Sequence, residues 1–382
     1  MIGKIVIAID SFKGCMSSEE AEECCAEAVK SVLPECDTVC VPMADGGEGF
    51  ASALAVHIGG SPCRLLVSGP LGDPVPACYF YNPETRLAVM DMAQASGLTL
   101  VPEALRNPLK TSTFGTGEMI ADAVRRGAKK IIVGIGGSAT NDGGMGMLSA
   151  LGIKFSDIAG TPLYGYGADL LKVDSIDSSE LMTELTDVEF TVAADVTNPL
   201  CGKSGATHVF GPQKGASDYD ITILENGMRN YKLKVNQSVK KDLSDFPGAG
   251  AAGGLGYAFL SFFNAHLTSG IDILLDKIEF NEILKDTDIV ITGEGCIDAQ
   301  SVYGKTIYGI LNKANNKNIP VIAIAGKVLN QELISKAGFL SVASIINKPM
   351  DLNSAMNKET TKTNIKFTIQ QILNVIKHYH TL

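Results

Sequence analysis

Short apolar runs rich in β-branched residues alternate with amphipathic stretches at both ends of this 382-residue chain. Near the start, residues 4–10 (KIVIAID) and 37–43 (DTVCVPM) read as strands, and 17–33 and 46–58 as helices. Ser17 is the expected N-cap of the first helix, with Glu20 as its capping-box partner. Near the end, residues 287–292 (TDIVIT), 320–326 (PVIAIAG) and 341–347 (SVASIIN) read as strands. Helices are expected over 303–315, 329–337 and 361–379, the last with an apolar side of Ile365, Phe367, Ile369, Ile372, Val375 and Ile376. Continuous apolar strands separated by helices predict a parallel sheet covered on both faces.

The middle of the chain has a different rhythm. Residues 63–69, 77–82 and 86–92 are short strand candidates separated by turns at Gly69-Pro70 and Asn82-Pro83, an antiparallel or mixed signature. A helix-strand-helix unit at 115–151 fits either sheet, 189–194 (EFTVAA) is a further strand, and 199–256 reads as glycine-rich and irregular. The expected fold is α/β: a Rossmann-like parallel-sheet domain built from residues 1–70 and 280–382, with an inserted α/β domain of mixed sheet over 71–279.

Composition narrows the function. Apolar residues make up 45% and charged residues 19%, as in a globular protein. The net charge is −10 with no dense Lys/Arg run, which argues against nucleic acid as a partner. No stretch reaches the ~18 apolar residues of a spanning helix. The opening MIGKIVIAID runs straight into an acid and reads as a strand rather than a secretory signal, so a cytoplasmic location is expected. The nine cysteines show no CxxC pair or zinc spacing, and Cys24, Cys25 and Cys40 sit in amphipathic or apolar segments. They read as reduced, small apolar residues.

Ligands of an open parallel sheet bind beyond the carboxyl ends of its strands. There the chain carries Asp10-Ser11-Phe12-Lys13-Gly14, then Ala44-Asp45-Gly46-Gly47-Glu48-Gly49, then Gly293-Glu294-Gly295 followed by Asp298. Acids, a lysine and glycines in these loops suit a divalent metal and phosphate. Asp45, Asp195, Glu294 and Asp298 are candidates for Mg²⁺ ligation or for a general base, and Lys13 and Lys214 for holding phosphate or carboxylate. Asp195 opens a polar loop and is equally readable as a turn initiator. In the inserted region Gly136, Gly137, Ser138, Thr140 and Asn141 stand between a strand and a helix, where backbone N–H groups make an anion site. Ser138, Thr140 and Asn141 also suit plain helix capping.

Three familiar nucleotide signatures fail on context. Gly304-Lys305-Thr306 and Gly202-Lys203-Ser204 resemble Walker A endings, but Ala299 and Thr197 stand where the upstream glycine belongs. Gly248-Ala249-Gly250-Ala251-Ala252-Gly253 matches GxGxxG, yet KDLSDFP precedes it instead of an apolar strand.

Taken in order, the loops resemble those of the type-1 glycerate kinases of bacteria. The matching blocks are DSFKG (10–14), PMADGGEG (42–49), QASGL (94–98), TSTFGTGE (111–118), GIGGSATNDGG (134–144), DVTNPL (195–200), GPQKGA (211–216), PGAGAAGGLG (247–256) and TGEGCIDAQSVYGK (292–305). The resemblance implies ATP, Mg²⁺ and D-glycerate, with 2-phosphoglycerate as the usual product, and an active site in the cleft between two α/β domains. It leaves open which loop holds ATP and which holds glycerate. Asp195, Asp45 and Lys13 are the expected catalytic residues. Gly293, Gly295, Lys214 and the loop 136–141 are expected at the nucleotide. Expected partners are small molecules, with a homodimer left open and no membrane. The rival readings are an NAD(P)-dependent hydroxy-acid oxidoreductase, which the GxGxxG motivates, and a non-catalytic hydroxy-acid sensor.

Overall fold

The computed structural model describes residues 2–12, 14–43, 49–298 and 306–380. Its chain divides into two compact units: Met1–Asp45 with Ile271–Leu382, and Gly46–Gly270.

The first unit carries a five-stranded, wholly parallel sheet. Across the sheet its strands run Ser341–Ser344, Val321–Val328, Ile289–Ile297, Lys4–Ile9 and Asp37–Cys40. Ile289–Ile297 is the central strand, and Lys4–Ile9 pairs beside it, with Ile5 opposite Ile289 and Ile9 opposite Gly293. Ile5, Val6, Ile7, Ala8 and Ile9 are all fully buried, as a strand covered on both faces requires. Helix Ser18–Val32 begins with the expected capping box: the Ser17 side chain accepts from Glu20 N–H, and the Glu20 carboxylate accepts from Ser17 N–H. Its Ala21, Cys25, Ala28 and Val29 join the sheet isoleucines and Ile365, Ile369 and Leu373 of helix Lys358–His380 in one core. Cys24 and Cys36 are also buried, whereas Cys40 lies on an exposed strand position; all nine cysteines are free thiols.

The second unit holds a six-stranded mixed sheet. Its order is His266–Thr268, Glu189–Ala193, Lys130–Gly134, Leu87–Asp91, Pro74–Asn82 and Ser61–Ser68. The first four strands are parallel, and the last two pair antiparallel. A small antiparallel sheet of Pro162–Leu163, Lys154–Ser156 and Ser175–Asp177 lies in the same unit. Phe190 meets Phe259 and Phe263 with ring centroids 5.5 and 5.0 Å apart.

Four expectations change, and one that was open is decided. The first division falls at residue 45, not near 70, because Ser61–Ser68 pairs along its whole length with Pro74–Asn82. The second falls at 270/271 rather than 280. The segment 115–151 belongs to the mixed sheet, through Lys130–Gly134. The stretch 199–256 is not irregular: it contains the helix Asp218–Val239, opened by a capping box of Ser217 and Asp220, and most of Ala251–Phe263. Finally, strand Ile289–Ile297 runs through Gly293-Glu294-Gly295, which is therefore extended backbone and not a loop.

One buried acid stands apart from any substrate chemistry. Glu22, on the sheet-facing side of helix Ser18–Val32, is 1% exposed and accepts a hydrogen bond from Ile9 N–H at 3.2 Å. Burial pushes its pKa up to about 9, with the Ile9 and Val41 backbone hydrogen bonds opposing that shift. A carboxyl held neutral in the fold and ionised when unfolded favours folding fully only below its unfolded pKa. That contribution is lost as pH rises toward the folded value. Glu22→Gln is therefore expected to gain on the natural protein between pH 5 and 9, by about 1 kcal/mol per pH unit in unfolding free energy. Denaturation curves of the two proteins at pH 5, 7 and 9 check this, and a constant difference across the range would show that Glu22 is not held neutral.

Candidate functional site

In the first unit, the sheet order places two neighbouring strands, Lys4–Ile9 and Ile289–Ile297, side by side at its middle. Beyond their carboxyl ends lies a cavity of about 670 Å³. Asp10, Glu294 and Asp298 line it together with Gly295 and Lys327. Its remaining wall includes Phe12, Ile345, Ile346, Met350, Leu352 and Met356.

Asp10 is 5% exposed. Its backbone N–H donates to Gly293 O at 2.9 Å, continuing the strand pairing by one residue. Its carboxylate accepts from Ser11 N–H at 2.7 Å and from the Thr306 hydroxyl at 3.3 Å. Ser18 ties two strand ends together: its hydroxyl donates to Ile9 O and accepts from Met43 N–H at 3.0 Å. Gly293 has a packing reason for being glycine, since a Cβ there would stand 2.5 Å from Ile324 O on the adjacent strand. Gly295, by contrast, lines the cavity.

In the second unit, three adjacent parallel strands deliver Asp91, the loop 135–144 and Asp195 beyond their carboxyl ends. Asp91 is buried and caps helix Phe50–Ile58, accepting from Gly49 N–H at 3.1 Å and Ala51 N–H at 3.0 Å. Asp195 is exposed and accepts from Gly270 N–H at 3.0 Å, where helix Gly270–Lys277 begins.

The loop after Lys130–Gly134 is more enclosed than its glycines suggest. Gly137 is exposed and Gly136 half-buried, whereas Ser138, Thr140 and Asn141 are buried. Lys214, itself 2% exposed, donates from Nζ to Ser138 Oγ at 2.8 Å and to Thr140 O at 2.7 Å. Burial brings its pKa down to about 7, against the pull of nearby Asp142. Asp142 is wholly buried and accepts from Thr113 N–H and hydroxyl, Gly144 N–H and Gly146 N–H. Burial pushes its pKa up, and those donated bonds resist the shift. Asn141 Nδ2 donates to Thr207 Oγ1 at 3.0 Å. Among the described residues, Thr140 Oγ1 and Asn141 Oδ1 are buried with no hydrogen-bond partner, an unusual state for polar atoms.

The GxGxxG stretch serves this loop and not a dinucleotide. A Cβ on Gly250 would lie 2.2 Å from Pro199 O, and one on Gly253 2.1 Å from Thr140 O. Gly143 N–H donates to Gly253 O at 3.0 Å. These glycines let the chain's own backbone approach itself.

The structure thus brings Glu294, Asp298 and Gly295 to one cavity, and Gly136, Gly137, Ser138, Thr140, Asn141 and Lys214 to one loop cluster. Lys13 and Asp45 lie outside the described residues. Sequence reasoning missed Asp142, Asp91 and Lys327 as site residues. Lys327 had a readable signal, as the charged residue following PVIAIAG at a parallel strand's carboxyl end. Asp142 had none, because its burial comes from contacts with the distant Thr113. Among the described residues, no helix is long and apolar enough to cross a membrane.

Known proteins place this arrangement in a lineage. The sequence profile of the Glycerate kinase family matches residues 5–377. A glycerate kinase of Bacillus subtilis (strain 168) is 44% identical over 92% of this chain and 92% of its own length. A glycerate 2-kinase of Escherichia coli (strain K12) is 42% identical over 92% of this chain and 93% of its own length. The crystal structure of a protein assigned as glycerate kinase 2 in Salmonella typhimurium LT2 superposes with a TM-score of 0.87 at 40% identity, covering all of both chains. A match from residue 5 to residue 377, carried by both sequence and fold, is decisive: the chain belongs to the glycerate kinase family.

Proposed function

We propose that the protein transfers the γ-phosphoryl group of ATP to a hydroxyl of D-glycerate, with the 2-hydroxyl favoured. The observation that carries this reading is a set of carboxylates, Asp10, Glu294 and Asp298, on one cavity at the strand ends of a parallel sheet, in a chain of this family. In the transfer, the glycerate hydroxyl oxygen forms a bond to the γ-phosphorus and the bond from that phosphorus to the β–γ bridging oxygen breaks. ADP leaves, and the hydroxyl proton passes to a carboxylate. Phosphoryl transfer asks the protein for position and charge neutralisation more than for covalent chemistry.

Asp195 and Asp45 are the proposed proton acceptors. The loop of Gly136, Gly137, Ser138, Thr140 and Asn141, held by Lys214, is proposed to receive an anionic group of a substrate, and Lys13 to neutralise another. Mg²⁺ takes oxygen ligands, usually one or two protein carboxylates, with phosphates and water completing its shell. The carboxylates of the cavity are oxygen donors of that kind, and the described residues contain no cluster of three or more His, Cys, Asp or Glu suited to a metal ion. Glu294 and Asp298, with Asp45, would hold it, and when bound it supplies positive charge to the phosphates. A cytoplasmic location is part of the same proposal.

Three outcomes are expected. Coupled measurement of ADP release over a panel of small hydroxy acids should give turnover with D-glycerate, and phosphorus NMR of the product should place the phosphate on the 2-oxygen. A product phosphorylated at the 3-oxygen would refute the regiochemistry, and no ADP release with any acid would refute the kinase reading. Activity should vanish in excess chelator and return with Mg²⁺ or Mn²⁺, and full turnover without metal would remove the proposed metal role. Lys13→Ala should lower kcat/KM by at least ~100-fold, near 2.7 kcal/mol, the scale of one lost charge-stabilising contact. Its unfolding free energy should move by under about half a kcal/mol, and wild-type kinetics would make Lys13 an ordinary surface lysine.

A further inference from the structure

Resting on the kinase reading, we infer that the cavity of the first unit binds ATP, with the adenine against its apolar wall and the phosphates toward its carboxylates. The second substrate then belongs to other residues.

The cavity sits where the sheet reverses direction. From Lys4–Ile9 the chain moves outward to Asp37–Cys40 on one side, and the segment returning at Ile289–Ile297 moves outward through Val321–Val328 to Ser341–Ser344 on the other. The connections that leave these two neighbouring strands therefore run to opposite sides of the sheet, and such a switch point is where open parallel sheets hold their ligands. Asp10 follows one of these strands, and Glu294 and Asp298 lie at the end of the other.

The lining combines two unlike sets of side chains. Asp10, Glu294 and Asp298 are acids, whereas Phe12, Ile345, Ile346, Met350, Leu352 and Met356 offer almost no hydrogen bonds. Glycerate is a three-carbon anion bearing polar groups on every carbon. The apolar wall would leave those groups unpaired, and the carboxylates would repel its charge. ATP matches both sets. Its base is a flat, largely apolar body that methionines can fit closely, and its phosphates share a divalent cation with carboxylates. A volume of about 670 Å³ is within the usual range for sites that enclose a ligand of nucleotide size. Lys327, exposed at the rim, adds a cation for the triphosphate.

The test uses the whole protein. Photolabelling with 8-azido-ATP, followed by peptide mapping, is expected to mark residues between 341 and 361, with protection by ATP and by adenosine but not by glycerate. The variant Ala355→Trp places a large ring in the cavity from a half-exposed position on the short helix Leu352–Ala355. It is expected to raise KM for ATP about tenfold or more, while kcat and KM for glycerate stay within about twofold. Should that variant fail to fold, Met350→Ala is read for the same selective change in KM for ATP. Label confined to residues 134–144 or 206–216, or a change confined to KM for glycerate, overturns the assignment while leaving the kinase reading intact. Absence of ATP-dependent turnover in the natural protein overturns both.

Discussion

The hydrogen-bonded pairing of Lys4–Ile9 with Ile289–Ile297 is the constraint on which the first unit depends. It joins segments almost at opposite ends of the chain and fixes their register residue by residue. Because the strands are parallel, it also brings their carboxyl ends to the same side. Asp10 extends the ladder through its N–H to Gly293 O, so the site acid is positioned by the same bonds that build the sheet. A slip of one residue would turn every side chain of the strand to the opposite face. The fully buried run from Ile5 to Ile9 makes such a slip costly.

The second unit solves its problem by close approach. Its loop 135–144 is pinned from one side by Lys214 and from another by the backbone of Gly250–Gly254. Asp142 gathers four donated hydrogen bonds beneath it. The result is a rigid strand-end loop whose exposed face is confined to Gly136 and Gly137. Packing of this kind would hold the proposed anion site in shape before a ligand arrives.

Much of this was legible from residue order. The parallel sheet of the two chain ends was readable because its strands are short, apolar and β-branched, and the capping box at Ser17 and Glu20 marks a helix start by a local rule. The helix Asp218–Val239 escaped notice although Ser217 and Asp220 carry the same kind of signal, because the surrounding glycines dominated the reading. Gly293-Glu294-Gly295 looked like a loop, since glycine is rare inside strands. The neighbouring Ile324 carbonyl, which leaves no room for a side chain, is a reason that no local pattern contains. The GxGxxG stretch failed in the opposite direction, with its glycines serving close approaches to Val196, Pro199 and Thr140, distant in sequence. Asp142 and Lys214 are both buried and influence each other's charge across 72 positions of sequence, so burial and polarity had to be seen in three dimensions to be joined.

The central pairing also has a history written into synthesis. The strand Lys4–Ile9 leaves the ribosome about 280 residues before its partner Ile289–Ile297. At ordinary translation rates the first strand waits roughly 15–60 s for that partner. Gly46–Gly270 is contiguous and is complete in the meantime. A nascent chain therefore carries a complete Gly46–Gly270 while Ile5–Ile9, buried in the finished sheet, still lack that partner strand. Long-range parallel pairing of this kind makes the closing step slow.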